Sequence, residues 1–240
     1  MFSFSLTDIT ISCYNFFVMH KQKKKRLILL DIDDTLFRCD TFVAFIAYYP
    51  RLNPSRAFVL PWILLLAVFF KLGAVSNVTL KQNALLILKG ETRACLAAYA
   101  GRFLRRLFAA KLNFSVSEAI KKLVATGLYD IIVISASPSF YIETIGGRIN
   151  ALRTIATNIK FDEYDRLVPV LDGNNCKGEE KITRLRQEIN LEDYDLENSY
   201  AFSDSVTDLP MFELVGRPVA VTPDSKLMAL ALDKKYIIIK

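Results

Sequence analysis

Residues 26–35 read RLILLDIDDT, an apolar run followed at once by three aspartates, Asp31, Asp33 and Asp34. Short runs rich in Leu and Ile are typical of strands buried inside a parallel sheet. YDIIVISAS (129–137) and SYAFSD (199–204) have the same form, and each also ends in Ser or Asp. Because the carboxyl ends of parallel strands share one edge of the sheet, the pattern predicts that these polar residues meet there.

Helical patterns separate these strands along the chain. SVSEAIKKLVATG (115–127), GEEKITRLRQEIN (178–190) and TDLPMFELVG (207–216) are predicted helices, and RPVAVTPD (217–224) is a fourth strand. We expect 152–162 and 166–172 to form a hairpin that turns at 163–165. Strands that alternate with helices predict an α/β fold, a doubly wound, parallel, Rossmann-like sheet.

A long helical segment interrupts the first strand–helix unit. Pro50, Pro54, Gly73 and Gly90 divide residues 41–112 into about four helices. The segment therefore predicts an inserted all-helical cap, with the catalytic core formed by 21–40 and 113–240. We expect residues 1–20 to be an N-terminal extension and Met19, directly before a basic stretch, to be the natural start. The alternative is a short extension that contacts the membrane.

Within the cap, residues 57–75 form an apolar run interrupted only by Lys71. As a helix, about 19 residues would extend roughly 28 Å, close to the thickness of a bilayer core. A single crossing is excluded if Asp31 and Asp204 share a site, since they lie on opposite sides of the run. We expect 57–75 either to lie in one leaflet or to pack within the cap.

Charge and cysteine content narrow the function further. Residues 37–115 hold eleven Lys or Arg against two acidic residues, whereas the whole chain has a net charge of +6. A basic excess beside an apolar run favours an anionic membrane surface over nucleic acid, since no base-reading motif accompanies it. The four cysteines and single histidine form no zinc-binding spacing or Ser-His pattern, which favours reduced cytoplasmic thiols.

Four motifs in order carry a resemblance to a known family: DIDDT (31–35), the Ser of VISAS, the Lys of CKGEEK (176–181) and SDSVTD (203–208). They resemble the haloacid dehalogenase superfamily of phosphatases, and the helical insertion is similar to that of the phosphoserine phosphatase subclass. The resemblance implies Mg²⁺-dependent hydrolysis of a phosphomonoester through an aspartyl-phosphate.

The resemblance also implies a role for each matching residue. Asp31 would be the nucleophile and Asp33 the general acid and base. The implied substrate-binding residues are Thr35, which orients the loop, Asp40, Ser135, Ala136 and Lys177. The implied Mg²⁺ site consists of Asp31, the Asp33 carbonyl, Asp204 and Asp208.

Three positions leave alternatives open. Lys181 is a rival to Lys177, although the family spacing favours Lys177. Asp208 either supports the metal or only caps the following helix. Asp34 stands where the family often has Gly or Ser, and an additional acid there would alter the affinity for metal.

The substrate has its own alternatives. The layout of residues 31–71 resembles the phosphatidylglycerophosphatase C family, which implies a lipid headgroup phosphate and a location at the cytoplasmic face of the inner membrane. Arg102, Arg105, Arg106 and Lys111 would then bind headgroups or form a solvated face. The first alternative is a small soluble substrate such as phosphoserine in the cytoplasm, although Ala84 stands where phosphoserine phosphatases have a cap arginine. The second is a non-enzymatic membrane-binding module.

Overall fold

The computed structural model describes residues 24–240. The predictions for residues 1–20, including the start at Met19, lie outside this range. The strands of the described part, in chain order, are β1 (Arg26–Leu30), β2 (Tyr129–Pro138), β3 (Arg153–Thr157), β4 (Ile159–Phe161), β5 (Leu167–Leu171), β6 (Tyr200–Ser203), β7 (Arg217–Val221) and β8 (Ile237–Ile239). The α-helices are α1 (Thr41–Tyr48), α2 (Leu60–Lys71), α3 (Asn77–Ala84), α4 (Arg93–Lys111), α5 (Phe114–Val124), α6 (Ser139–Arg148), α7 (Glu179–Glu188), α8 (Leu209–Leu214) and α9 (Ser225–Asp233).

Six strands form one parallel sheet in the order β3-β2-β1-β6-β7-β8. The chain moves outward from β1 in one direction through β2 and β3, and in the other through β6, β7 and β8. The crevice at the carboxyl ends of β1 and its neighbours is therefore a topological switch point, where open α/β sheets bind ligands. The predicted fold class is confirmed.

Strand β1 is buried on both faces, as its sequence predicts. Ile28 and Leu30 pack into one core and Leu27 and Leu29 into the other, and all four are 0% exposed. Helices α5 and α6 cover the first face, whereas α7, α8 and α9 cover the second. This two-sided burial explains why β1 is a continuous apolar run rather than an alternating one.

The chain leaves the sheet after β1 and returns to it at α5 through two adjacent segments. The amide of Arg38 donates to the carbonyl of Lys111 at 2.8 Å, and that of Asn113 donates to Leu36 at 2.8 Å. Between these points lie α1 to α4 and short 3-10 turns. The limits of the cap as a separate domain stay a prediction.

The predicted hairpin is only partly right. Residues 153–157 form β3 and pair in parallel with β2, whereas only β4 pairs antiparallel with β5. The uninterrupted run from 153 to 161 contains no Gly or Pro to indicate that the chain changes sheet at Asn158. The sequence interpretation also missed β8 and α9 at the carboxyl end.

The apolar run lies on the outside of the fold. Pro54–Lys71 is a helical stretch of 18 residues, long and apolar enough by composition to cross a membrane, and 6% of it is buried. Its other face nevertheless packs against the core cluster through Val59, Leu60 and Ile63, so a helix in one leaflet and a helix packed within the cap both stay predictions. A single crossing is also incompatible with the sheet, because β1 pairs with β6 and the amide of Asp31 donates to Phe202 at 3.0 Å.

Candidate active site

A cavity of about 490 Å³ opens at the carboxyl ends of β1, β2 and β6, between the sheet and α1 to α3. Six aspartates and three lysines lie in its wall: Asp31, Asp33, Asp34, Asp40, Asp204, Asp208, Lys81, Lys177 and Lys181. The opposite wall is apolar and includes Val43 and Ile46 of α1 and Leu60, Ile63 and Leu64 of α2. The cavity thus has a charged floor from the core and an apolar wall from the inserted helices.

A buried ion triad forms part of the floor. The ammonium of Lys181 donates to Oδ1 of Asp31 and to Oδ2 of Asp208, each at 2.7 Å. Although burial lowers the pKa of Lys181, these two carboxylates more than compensate, and the pKa is raised. Burial raises the pKa of Asp31, and Asp208 and Asp33 add to that shift while Lys181 opposes it. One ammonium therefore leaves the two carboxylates it joins with excess negative charge.

This geometry bears on the choice between the two lysines. Lys177 lies at the cavity wall, and within residues 24–240 its ammonium has no hydrogen bond or ion pair. Lys181 is the lysine in contact with the predicted nucleophile. The geometry therefore favours Lys181 over Lys177 as the lysine of the motif. The sequence contains a signal for Lys181, because helical spacing places it on the same face as Ile182 and Leu185, the buried face of α7.

A glycine makes this arrangement possible. Gly178 joins Lys177 to α7 with φ 59° and ψ −128°, a conformation essentially restricted to glycine. It lets the chain turn sharply so that lysines on both sides of the turn reach one cavity.

Asp208 does not cap α8. It stands at the cap position, but its side chain makes no capping hydrogen bond. Its Oδ2 instead accepts from Lys181 and from Ser203 Oγ at 2.6 Å. Of the two alternatives, the geometry supports a role in the site through Lys181.

Asp33 is held on both sides by residues of the insertion and of β2. Its Oδ1 accepts from the amide of Thr41 at 2.7 Å and from the Thr41 hydroxyl. Its Oδ2 accepts from Ser137 Oγ at 2.6 Å and from Ser135 Oγ at 3.4 Å. The carboxylate of Asp33 thus joins the end of β2 to the start of the cap.

The end of β2 contributes differently from what the motif implied. Ser135 is 0% exposed, and its Oγ accepts from the amide of Ser137 at 3.0 Å. Ser137 and Ala136 lie at the cavity wall. Ala136 therefore lies where a substrate can reach it. Of the two serines, Ser137 lines the cavity and Ser135 does not.

Thr35 does not reach the substrate space, so its placement among the substrate-binding residues is corrected. It is 0% exposed, and its hydroxyl accepts from the amide of Asp204 at 3.0 Å and donates to Asp204 Oδ1 at 3.3 Å. Burial and the nearby Asp34 raise the pKa of Asp204 to about 6. Thr35 thus positions a predicted metal ligand, which agrees with its expected loop-orienting role.

Asp40 lies in the cavity wall, but its carboxylate also caps α1. Its Oδ1 accepts from the amide of Val43 at 2.9 Å. Burial and Asp33 raise the pKa of Asp40. A contact with substrate at Asp40 stays a prediction.

A family model for haloacid dehalogenase-like hydrolases matches residues 28–213, which include all four motifs and the insertion. The chain belongs to this family. The match covers every residue that lines the cavity described above.

Relatives of this chain include proteins named as phosphatases. It is 37% identical over 98 residues to a probable phosphatase of Mycobacterium tuberculosis, covering 41% of this chain and 33% of that protein. It is 29% identical over 159 residues to a phosphoserine phosphatase of the same organism, covering 65% and 50%. A protein of Streptomyces azureus named for inhibition of morphological differentiation is 36% identical over 110 residues, covering 46% and 39%. The chain thus spans a third to a half of these relatives.

Solved structures share the fold of most of this chain. A protein of unknown function from Bordetella pertussis Tohama I aligns with a TM-score of 0.78 and 25% identity, covering 91% of this chain and 99% of that one. A phosphoserine phosphatase solved as a phospho-aspartyl intermediate analogue aligns with a TM-score of 0.60 and 21% identity, covering 90% and 94%. The second likeness concerns the fold alone.

The donor set of the cavity fits a Mg²⁺ ion, the metal on which such phosphatases generally depend. Among residues 24–240, no three Asp, Glu, His or Cys side chains are close enough to form a metal site by themselves. Mg²⁺ usually needs only one or two carboxylates and completes its shell with water and phosphate oxygens. Six aspartates against three lysines leave excess negative charge for a cation to neutralise.

The sequence interpretation overlooked Lys81 of α3. It lies in the cavity wall at 8% exposure, and its ammonium donates to the carbonyl of Ala136 and to Asn175 Oδ1, each at 2.6 Å. Its partners are 55 and 94 residues away in the chain. A local sequence pattern gives no signal for contacts of that range.

Proposed function

We propose that the protein is a phosphomonoesterase in which Asp31 is the nucleophile. One observation carries the proposal: Asp31 lies at the floor of a cavity, in contact with Lys181 at 2.7 Å, in a chain of the haloacid dehalogenase-like hydrolase family. Since Lys181 binds Oδ1, the other carboxylate oxygen is available for attack. The phosphatase-named relatives support the same reaction class.

Two displacements at phosphorus make up the proposed reaction. In the first, an Asp31 oxygen bonds to phosphorus while the ester P–O bond breaks, and protonated Asp33 gives its proton to the leaving alkoxide. In the second, Asp33 takes a proton from water, and the water oxygen displaces the Asp31 carboxylate. The products are an alcohol and inorganic phosphate, and both carboxyl groups are regenerated.

The remaining site residues orient these groups. Thr41 and Ser137 fix the Asp33 carboxylate, whereas Lys181 uses only two of its three N–H groups on Asp31 and Asp208 and lies where the third can bind a phosphoryl oxygen. Asp31, the Asp33 carbonyl and Asp204 would hold Mg²⁺, which neutralises charge on the phosphoryl group when bound.

The test is hydrolysis of p-nitrophenyl phosphate by the purified full chain with Mg²⁺. We expect activity in the unmodified protein and at least a thousandfold loss in Asp31→Asn. Asp195→Asn is the matched control, because Asp195 lies outside the cavity and pairs with Arg26. Equal activity in Asp31→Asn and the unmodified protein would exclude the proposal, and hydrolysis by neither would favour the non-enzymatic alternative.

For the substrate, we propose a phosphomonoester on a membrane lipid headgroup, the class that includes phosphatidylglycerol phosphate. The apolar wall of the cavity supports this, because Leu60, Ile63 and Leu64 line it while α2 also faces outward. Val68 and Leu72 are 54% and 73% exposed. An apolar surface that continues into the active-site cavity suits a substrate with an apolar portion at a membrane surface.

The helix would dock on the cytoplasmic face of the inner membrane without crossing it. The predicted headgroup ligands Arg102, Arg105, Arg106 and Lys111 are all exposed on α4. Each exposed cation near an anionic surface contributes about 1 kcal/mol. These exposed cations favour anionic over zwitterionic lipid.

Two measurements test the lipid substrate. In mixed micelles, we expect faster release of phosphate from phosphatidylglycerol phosphate than from phosphoserine. In co-sedimentation, we expect binding to vesicles containing phosphatidylglycerol, and loss of binding in the double variant Leu65→Ser/Phe69→Ser. Phe114→Ser is the control, since Phe114 is also an exposed apolar residue, at 66%, but lies on α5 outside the inserted segment.

A small soluble substrate is the second candidate, favoured by the likeness to the phosphoserine phosphatase of M. tuberculosis. It predicts the opposite outcome: preference for phosphoserine, and a protein that remains in the supernatant with every vesicle.

A further inference from the structure

Lys81 brings a buried cation from the inserted helices into the cavity. It is the last-turn lysine of α3 and is 8% exposed. Burying an ammonium is costly unless hydrogen bonds compensate for the lost water. Lys81 lies outside the four motifs, and the proposed reaction does not use it.

Core residues hold this ammonium in one place. The carbonyl of Ala136 and Asn175 Oδ1 each accept from it at 2.6 Å, and Thr157 Oγ1, which has one proton to donate, lies 2.6 and 3.0 Å from the same two oxygens. Asn175 in turn donates to Asn77 Oδ1 at 3.2 Å. This network fixes the end of the Lys81 side chain beside the wall residue Ala136.

The hydrogen bonds of Lys81 leave one donor and its charge unused. An ammonium has three N–H groups, and its two partners in the core are neutral. Within the described residues, no carboxylate lies within ion-pair distance of Lys81, whereas Lys181 contacts two. A fixed cation without an anionic partner, at the wall of a cavity, is suited to bind an anion.

We propose that Lys81 is a substrate-binding residue whose remaining N–H binds an anionic oxygen of the substrate from the α3 side of the cavity. The proposal rests on the phosphatase function above. The oxygen belongs either to the phosphoryl group or to a second anionic group on the leaving alcohol, and the ligand chemistry is the same in both cases.

The test uses the full chain with Mg²⁺ and compares Lys81→Met, Lys81→Arg and a control, Lys89→Met, whose side chain is exposed on the inserted segment. Titration calorimetry measures the affinity for inorganic phosphate. Steady-state kinetics measures KM and kcat for p-nitrophenyl phosphate and for phosphoserine, which carries an additional carboxylate.

If Lys81 binds the phosphoryl group, Lys81→Met weakens phosphate binding about tenfold or more, the effect of losing a charge-assisted hydrogen bond. If it binds a second anion, Lys81→Met raises KM for phosphoserine about tenfold and leaves KM for p-nitrophenyl phosphate unchanged. In either case Lys81→Arg recovers most of the loss, kcat changes less than KM, and Lys89→Met behaves as the unmodified protein.

Unchanged phosphate affinity and unchanged KM values in Lys81→Met would overturn the proposal. Equal losses in Lys81→Met and Lys81→Arg, accompanied by equal drops in Tm, would also overturn it by indicating a structural role. A failure of the phosphatase function is distinguishable, because the unmodified protein would then hydrolyse neither ester while the phosphate titration still reports on Lys81.

Discussion

The ammonium of Lys181 lies 2.7 Å from Oδ1 of Asp31, and both residues are almost completely buried, at 2% and 6% exposure. The same ammonium binds Asp208 at the same distance. Removing the cation from such a pair strongly destabilises the folded protein, because it leaves an uncompensated charge buried. This relationship therefore links the fold of the site to its chemistry.

Replacing Lys181 with Met should reduce both stability and activity. Two buried carboxylates lose their shared cation, so we expect the free energy of unfolding to fall by about 3–5 kcal/mol. We also expect kcat for p-nitrophenyl phosphate to fall at least a hundredfold, because a group that stabilises phosphoryl charge is lost. Urea unfolding and steady-state kinetics measure the two effects.

Lys177→Met is the control for this prediction, because the ammonium of Lys177 has no ion pair among the described residues. We expect its stability to stay within about 0.5 kcal/mol of the unmodified protein. The double variant Lys181→Met/Asp208→Asn should regain part of the stability but none of the activity. If Lys177→Met were the more damaging single change, Lys177 would be the lysine of the site, as the family spacing predicts.

Removing the Thr35 hydroxyl should weaken the metal site without touching substrate. In Thr35→Val, Asp204 loses hydrogen bonds at its amide and at Oδ1. A net hydrogen bond contributes about 1 kcal/mol, so we expect the Mg²⁺ concentration for half-maximal activity to rise about fivefold. Thr183→Val, an exposed threonine of α7, is the control. An unchanged Mg²⁺ requirement with a raised KM would show that Thr35 binds substrate after all.

Phosphate binding should depend on pH through Lys81. Burial lowers the pKa of Lys81 to about 8, with Lys177 adding to the shift and Asp33, Asp40 and Cys176 opposing it. The ammonium is charged below this pKa and neutral above it, so its attraction for an anion is lost as pH rises through about 8. The guanidinium in Lys81→Arg stays charged throughout.

The measurement is the ratio of phosphate affinities of the unmodified protein and Lys81→Arg at pH 7 and pH 9. The titrations of phosphate and of the other groups act on both proteins and largely cancel in this ratio. We expect the ratio to fall several-fold between the two pH values. A constant ratio would mean that the charge of Lys81 does not act on phosphate.

The parts of the fold that follow from local patterns were predictable. The strand cores at 26–30, 129–137 and 199–204 and the helices near 115, 178 and 207 lie close to their predicted positions, because burial on both faces requires apolar runs. The convergence of Asp31, Asp33 and Asp204 at one cavity also followed from strand order and the rule for strand ends.

The parts that depend on distant contacts were not predictable in the same way. Lys81 donates hydrogen bonds to residues 55 and 94 positions away. Strand β3 is not part of the predicted hairpin, because it pairs with β2 instead. The choice between Lys177 and Lys181 was partly predictable. Helical periodicity places Lys181 on the buried face of α7, whereas motif spacing favours Lys177, and the sequence alone does not say which criterion applies.

The central claim is that Asp31 becomes covalently phosphorylated. The most direct test is to quench the full chain, with Mg²⁺, during turnover of a phosphomonoester, to reduce any acyl phosphate with borohydride, which releases phosphate and converts the phosphorylated aspartate to homoserine, and to locate that homoserine by peptide mass spectrometry. We predict modification of the peptide at Asp31, absent in Asp31→Asn and retained in Lys177→Met. Turnover with no modified Asp31, or with the label on another residue, would contradict the account.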